Sequence, residues 1–392
     1  MHFSTYLIFA LIRSMKINQF ICNDGSTWTP QLEADSNAQL LLVFAAPKMF
    51  QDNLRFKELL KAFPNAGIMG CSTSGEIMGQ NVHDDTVVVT AVEFEKTHIA
   101  FSQVLLNDTA DSYDCGKSLI NHLDKKDLRH VLVLSDGLHV NGSELVKGMR
   151  ESLPEGITVT GGLAGDGADF KNTYVLSPNG DIMEKAITAV GFYGEAINVS
   201  YGSYGGWDPF GVERKVTSSK ANVLYSIDNQ PALELYKSFL GENAQHLPSS
   251  GLLFPLSLRT KEDEQPVVRT ILAVNEAEQS ITFAGDLPEG SYVRLMKANT
   301  ERLIQGAIKA AEITSKGMKT DHVDLAILVS CVGRKLVLKQ LVEEEVEGVY
   351  RFLGEGHHST GFYSYGEISP FSDNAACELH NQTMTLTVLS EN

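Results

Sequence analysis

The 392-residue sequence has only five cysteines and no Cys-x-x-Cys pair. Cys22, Cys71, Cys115, Cys331 and Cys377 lie far apart, which argues against a zinc ribbon, a thioredoxin-type motif and covalent c-type haem attachment. The odd count points to reduced thiols in the cytosol. Long apolar runs are missing as well: no stretch reaches the roughly 18 to 20 apolar residues that a membrane-spanning helix needs. The apolar segment Tyr6 to Ile12 is short, has no basic region before it and no small-residue cleavage site after it, so it does not read as a signal peptide. Basic charge is scarce, with 32 lysines and arginines against 49 acidic residues and a net charge of −17. A phosphate backbone would be repelled on average, so nucleic acid is not an expected partner. Glu343-Glu344-Glu345 is the one compact acidic run and reads as a solvated helix face.

At 43% hydrophobic residues the chain can bury a substantial core, and its length favours two domains. One stretch, Gly70-Cys71-Ser72-Thr73-Ser74-Gly75-Glu76-Ile77, recurs near the other end as Gly361-Phe362-Tyr363-Ser364-Tyr365-Gly366-Glu367-Ile368. Glycine, hydroxyl, glycine, glutamate and isoleucine keep the same spacing in both. A turn of this kind offers backbone N–H groups and a hydroxyl beside a carboxylate, which suits a small polar ligand. The alternative is local: the glycines permit positive φ and the glutamates cap or pair nearby.

Hydrophobic periodicity places buried strands at Leu40 to Phe44, His130 to Leu134 and Asp324 to Val329. Each is followed by a helix-like run and a glycine-rich segment. Further strands are expected at Thr86 to Val92, His98 to Leu105, Lys171 to Val175, Ala186 to Gly191, Ala196 to Tyr204 and Met384 to Val388. Asn141 with Glu144 three residues on marks a helix start, and Pro231 and Gly241 bracket another helix. These elements predict an α/β fold of two related units with mixed sheets and covering helices. Residues 1–30 are assigned to a leader, with translation starting at Met1 or Met15, residues 31–211 to the first unit and 212–392 to the second.

Several catalytic look-alikes fail. Asp111 stands where a phosphate-binding loop before Gly116-Lys117-Ser118 requires glycine, and Gly137 to Gly142 is followed by Ser143 with no lysine. Around Ser72 and Ser364 the nucleophile-elbow glycines are replaced by Ser74 and Phe362. Gly161 to Gly167 reads as a tight turn, or as amides presented to an anion. Cys71 and Cys331 read as small buried residues, the rival being a reactive thiolate at Cys71 and a hydrolase using Cys71 or Ser72. Arg334 either holds a ligand carboxylate in a bidentate pair or bridges to Glu367 or another acid. Glu76 and Glu367 either meet a ligand ammonium or balance Arg334.

These motifs, with Pro231-Ala232-Leu233-Glu234-Leu235-Tyr236 and Cys331-Val332-Gly333-Arg334, resemble the FIST family, named for F-box and intracellular signal transduction. The resemblance covers nearly all of the chain after Met15. It implies a cytosolic, non-enzymatic sensory module that binds a small ligand, such as an amino acid or another carboxylate, and reports to a separate signalling protein. Some bacterial relatives are stand-alone chains that bind haem, sense nitric oxide and work with a partner histidine kinase. A haem cofactor would need an axial ligand, for which His357, His358 and His380 are the nominees. The expected ligand site comprises Cys71, Ser72, Thr73, Glu76, Arg334, Tyr363, Ser364 and Glu367, with no catalytic residue and no clustered metal set.

Overall fold

The computed structural model of the chain describes residues 15–23, 27–32, 37–106, 111–261, 266–371 and 375–392. The Tyr6 to Ile12 segment lies outside them. The described residues fold as three copies of one α/β unit, the third carrying an inserted domain. In unit one, β1 (Lys16–Asn23), β2 (Leu40–Ala45), α1 (Leu54–Ala62), β3 (Gly67–Ser72), β4 (Glu76–Met78) and β5 (Thr86–Glu93) follow in order. Unit two repeats the pattern with β6 (His98–Leu105), α2 (Ser112–Asn121), β7 (Leu128–Ser135), α3 (Gly142–Ser152), β8 (Thr158–Leu163), β9 (Val175–Leu176) and β10 (Ala186–Tyr193). Unit three starts with β11 (Ile197–Tyr204), which precedes the insertion, residues 208–297. The insertion is an eight-stranded antiparallel sheet packed on α4 (Ala232–Leu240), with its own core around Leu224, Tyr236 and Phe283. Unit three resumes with α5 (Thr300–Lys316), β12 (Leu325–Cys331), α6 (Val332–Leu338), α7 (Val342–Leu353), β13 (His358–Ser364), β14 (Gly366–Pro370) and β15 (Met384–Glu391).

Each unit holds a parallel pair flanked by an antiparallel strand: β2 with β3 and β5, β7 with β8 and β10, β12 with β13 and β15. These first strands are buried on both faces, which is why they read as unbroken apolar runs. One face of each points to a shared centre, where Leu40, Phe44, Leu132, Leu134, Ile327 and Val329 pack together. The other face is covered by helices: α1 in unit one, α2 and α3 in unit two, α5 and α7 in unit three.

The glycine turns sit where the units exchange strands. After β3 the chain crosses so that β4 pairs with β13 of unit three; β14 crosses to β8 of unit two; β9 crosses to β3 of unit one. The cycle closes in the backbone: Ser74 N donates to Tyr363 O (2.8 Å), Tyr365 N to Leu163 O (3.2 Å) and Gly165 N to Ser72 O (2.9 Å). The two turns legible in the sequence are thus two of three, and the middle one, at 161–167, lacks the glutamate.

Three expectations change in detail. Residues 16–23, assigned to a leader, form β1 and pair along their whole length with β5. The 211/212 boundary falls inside the strand Asp208–Lys220 of the insertion. The helix-like run expected after the Asp324 to Val329 strand is broken at Lys339, whose φ of +51° separates α6 from α7. No helix among the described residues is long and apolar enough to cross a membrane.

Candidate functional site

At the carboxyl ends of β2 and β3 a cleft of about 430 Å³ opens between units one and two. Its floor is the first glycine turn, Thr73 to Glu76, and its far wall is the crossing loop of unit two between Asp166 and Tyr174. The end of a parallel pair, where connections diverge, is where open α/β sheets commonly bind ligands. Lys48 and Lys171 bring positive charge; Asp84, Asp85, Asp166 and Asp169 bring negative charge. Lys48 Nζ lies 3.1 Å from Asp85 Oδ1. The side-chain groups of Gln51, Asp169, Lys171 and Asn172 have no partner among the described residues.

The turn amides themselves are spoken for. Thr73 N donates to Ala45 O (3.0 Å), Ser74 N to Tyr363 O and Gly75 N to Thr73 Oγ1 (3.2 Å). The amides after Gly165 are likewise turned inward, with Phe170, Lys171 and Asn172 N donating to the Asp166 carboxylate at 2.7 to 2.9 Å. With these amides engaged inside the protein, recognition in this cleft falls mainly to side chains.

Glu76 and Glu367 occupy equivalent buried places. Glu76 accepts from the Thr73 hydroxyl and from Thr86 N (3.1 Å) and Oγ1 (2.7 Å); Glu367 accepts from Ser364 Oγ (2.6 Å) and from Thr383 N (3.1 Å) and Oγ1 (3.0 Å). Each glutamate ties its turn to the start of the next antiparallel strand. Burial raises the Glu76 pKa to about 7, partly offset by hydrogen bonds from Thr73 and Thr86 and by Lys335. Glu367 rises to about 8 for the same reason, offset by Ser364, Thr383 and Arg334. Both carboxyls hold their proton more tightly folded than unfolded. The stability they contribute is therefore full below about pH 4.5 and is lost as pH rises through about 7 and 8. Urea denaturation between about pH 5 and pH 9 is expected to show stability falling with pH, by at most about 1.4 kcal/mol per pH unit and per carboxyl. Glu76→Gln and Glu367→Gln should each flatten that slope; an unchanged slope in both would assign it to other groups.

The other expected site residues do not converge on the cleft. Cys71 is fully buried, and burial, reinforced by Glu76, pushes its thiol well up. Ser72 Oγ accepts from Tyr174 N (3.0 Å), and no histidine lines the cleft. Arg334 is fully buried and pairs with Glu345 (Nη2 to Oε2, 2.7 Å), not with Glu367. Its remaining donors go to Gly205 O, Leu303 O and Gln382 O. Tyr363 OH donates to Glu345 Oε1 (2.8 Å), and Ser364 is sealed beneath the second turn. Lys335 reaches from α6 to Ser74 O (2.8 Å) and to Asp84, closing the edge between units three and one.

The three histidines do not fit a haem where they lie. His357 and His358 stand at the start of β13, about 20 Å along the strand from Ser364. His357 has both ring nitrogens engaged, with Gly354 O at 2.6 Å and Ser359 Oγ at 2.9 Å. His358 Nδ1 is 3.3 Å from Gln19 Oε1. His380 Nε2 donates to Ser369 O (2.7 Å); its free Nδ1 is enclosed by protein. Phe362, beside the second glycine turn, stacks on Phe44 in the central core at 4.8 Å and offers no face to a porphyrin. No group of metal-ligating side chains occurs among the described residues.

The polar cleft residues that the sequence did not disclose are Lys48, Gln51, Asp84, Asp85, Asp166, Asp169, Lys171 and Asn172. Only Asp166 carried a signal, as the end of the Gly161 to Asp166 segment; the loop beyond it reads as a strand, which would turn half its side chains inward.

Residues 39–230 match the FIST N domain and residues 232–370 the FIST C domain. A protein of Methanocaldococcus jannaschii, itself uncharacterised, is 22% identical over 353 residues, spanning 84% of this chain and 67% of the relative. With two adjoining domain matches over most of its length and glycine turns joining its units at one axis, the chain belongs to the FIST family, whose domains are associated with small-ligand sensing in signal transduction.

Proposed function

We propose that the protein is a cytoplasmic sensor that binds a small zwitterion of the amino-acid class in the β2/β3 cleft and reports to a separate signalling protein such as a histidine kinase. The carrying observation is the pairing, in one cleft of about 430 Å³, of unpartnered Lys171 and Asp169 with the polar groups of Gln51 and Asn172. Lys171 meets a ligand carboxylate, and Asp169 meets an ammonium. Because the cleft is walled by two units whose strands interlock, a ligand bridging them favours one placement of unit two against unit one. That placement is the signal a partner reads. Calorimetric titration with the individual amino acids tests it: at least one is expected to bind, with affinity lowered about tenfold or more by Lys171→Ala and by Asp169→Asn, the loss typical of a charge-assisted hydrogen bond. Absence of binding by every amino acid, or a Soret band after haem reconstitution, would sink this reading.

A further inference from the structure

A buried arginine at the edge of the inserted domain lacks a counter-ion. Arg269 ends the strand Val267–Arg269 and is 5% exposed. Its Nε donates to Asp286 O (3.2 Å) and its Nη1 to Val268 O (3.3 Å) and Leu379 O (3.0 Å). No carboxylate among the described residues lies within ion-pair distance of it, and its Nη2 has no acceptor among them. Carbonyl oxygens satisfy hydrogen bonds but leave the unit charge uncancelled, and a buried uncompensated charge is costly. Burial lowers its pKa to about 10, offset by Glu378 and Asp286, so it is protonated at neutral pH.

Arg269 lines a cleft of about 400 Å³ bounded by α3, the insertion and the strand Cys377–His380. Lys147 and Arg150 of α3 and Arg259 of the insertion face the same space. The other charges there are already matched: Glu144 lies 3.5 Å from Lys147, Glu378 is 2.8 Å from Arg150, Arg259 Nε donates to Glu213 Oε1 at 2.7 Å, and Asp286 Oδ1 accepts from Asn141 Nδ2 at 2.9 Å, which leaves Arg269 as the lining cation without a paired carboxylate among the described residues. Room for the guanidinium is made by Gly285, where a Cβ would stand 2.8 Å from Arg269 Nε and 3.0 Å from Cζ. We propose that this cleft is a second ligand site, separate from the β2/β3 cleft, taking a compact oxyanion, a carboxylate or phosphate group, on Arg269 Nη2 with Lys147 as a mobile second donor. The anion supplies the charge that the carbonyl cage lacks. Arg269 also holds Leu379, whose strand pairs with β14, so occupancy bears on the strand exchanged between units three and two.

Calorimetric titrations of the full chain at constant ionic strength, with inorganic phosphate and succinate as separate probes over a chloride background, test the site and tell phosphate from carboxylate. At least one probe is expected to bind more tightly than chloride. Arg269→Gln and Gly285→Ala should each weaken it about tenfold or more, Lys147→Ala about threefold, and Lys171→Ala not at all. Lys147 is on the surface, so its variant keeps the test decisive if Arg269→Gln does not fold. Equal affinity in the folded Arg269 or Lys147 variants and the parent, or no binding beyond chloride, would overturn the proposal; loss through Lys171→Ala would place the anion in the β2/β3 cleft instead.

Discussion

Gly361→Ala is expected to destabilise the protein by more than about 3 kcal/mol, measured by urea denaturation, because the new methyl has no space to enter. Gly361 lies in β13 opposite Leu328 of β12, and a Cβ there would stand 1.9 Å from the Leu328 carbonyl oxygen. The obstacle is backbone in the middle of a parallel pair, so relief requires prying the two strands apart. Unit two repeats the arrangement, with Gly161 1.8 Å from Val133 O, and unit one in milder form, with Gly70 2.5 Å from Val43 O. Gly161→Ala should therefore match Gly361→Ala, and Gly70→Ala should cost less. Gly156 is the control: its φ is +84° and no atom lies within 4 Å of a Cβ, so Gly156→Ala carries only backbone strain of about 1 to 2 kcal/mol. If Gly361→Ala were no worse than Gly156→Ala, close strand approach would not be what these three glycines provide.

The same three positions show what the sequence could and could not disclose. β2, β7 and β12 were legible because strands buried on both faces must be apolar throughout, and α3 because Asn141 caps it, accepting from Ser143 N and Glu144 N. The threefold repeat was hidden for two physical reasons. The insertion at 208–297 splits unit three, and unit two replaces the glutamate after its turn with a loop organised by Asp166. β1 escaped notice because only its second half is buried, which leaves a weak alternation. At the site, Glu76 and Glu367 stood out by spacing, but spacing does not show that both point inward. The side chains that line the β2/β3 cleft come from residues 46–51, 73–76, 84–85 and 166–174, and the last of these four segments reaches unit one only through strand exchange. No local pattern predicts such a meeting.

Arg334→Met is expected to cost about 3–5 kcal/mol, the usual penalty for stranding one partner of a buried ion pair. Glu345 would keep its hydrogen bonds from Ser330 Oγ (3.0 Å) and Tyr363 OH (2.8 Å) but lose the cation that neutralises it. Three carbonyls would lose a donor at once: Gly205 at the entry to the insertion, Leu303 in α5 and Gln382 before β15. Arg334→Lys should recover little, since a single ammonium cannot span Glu345 and carbonyls on three segments as a planar guanidinium does. Arg334→Met combined with Glu345→Gln should be less destabilised than Arg334→Met alone, with a coupling of about 1 kcal/mol or more, because the stranded charge is then gone. The urea midpoint of the four proteins measures this cycle, and amino-acid titration of the folded variants adds a second axis. Were Arg334→Met as stable as the parent yet unable to bind ligand, the guanidinium would be acting as a carboxylate clamp, and the keystone role that its carbonyl partners suggest would have to be given up.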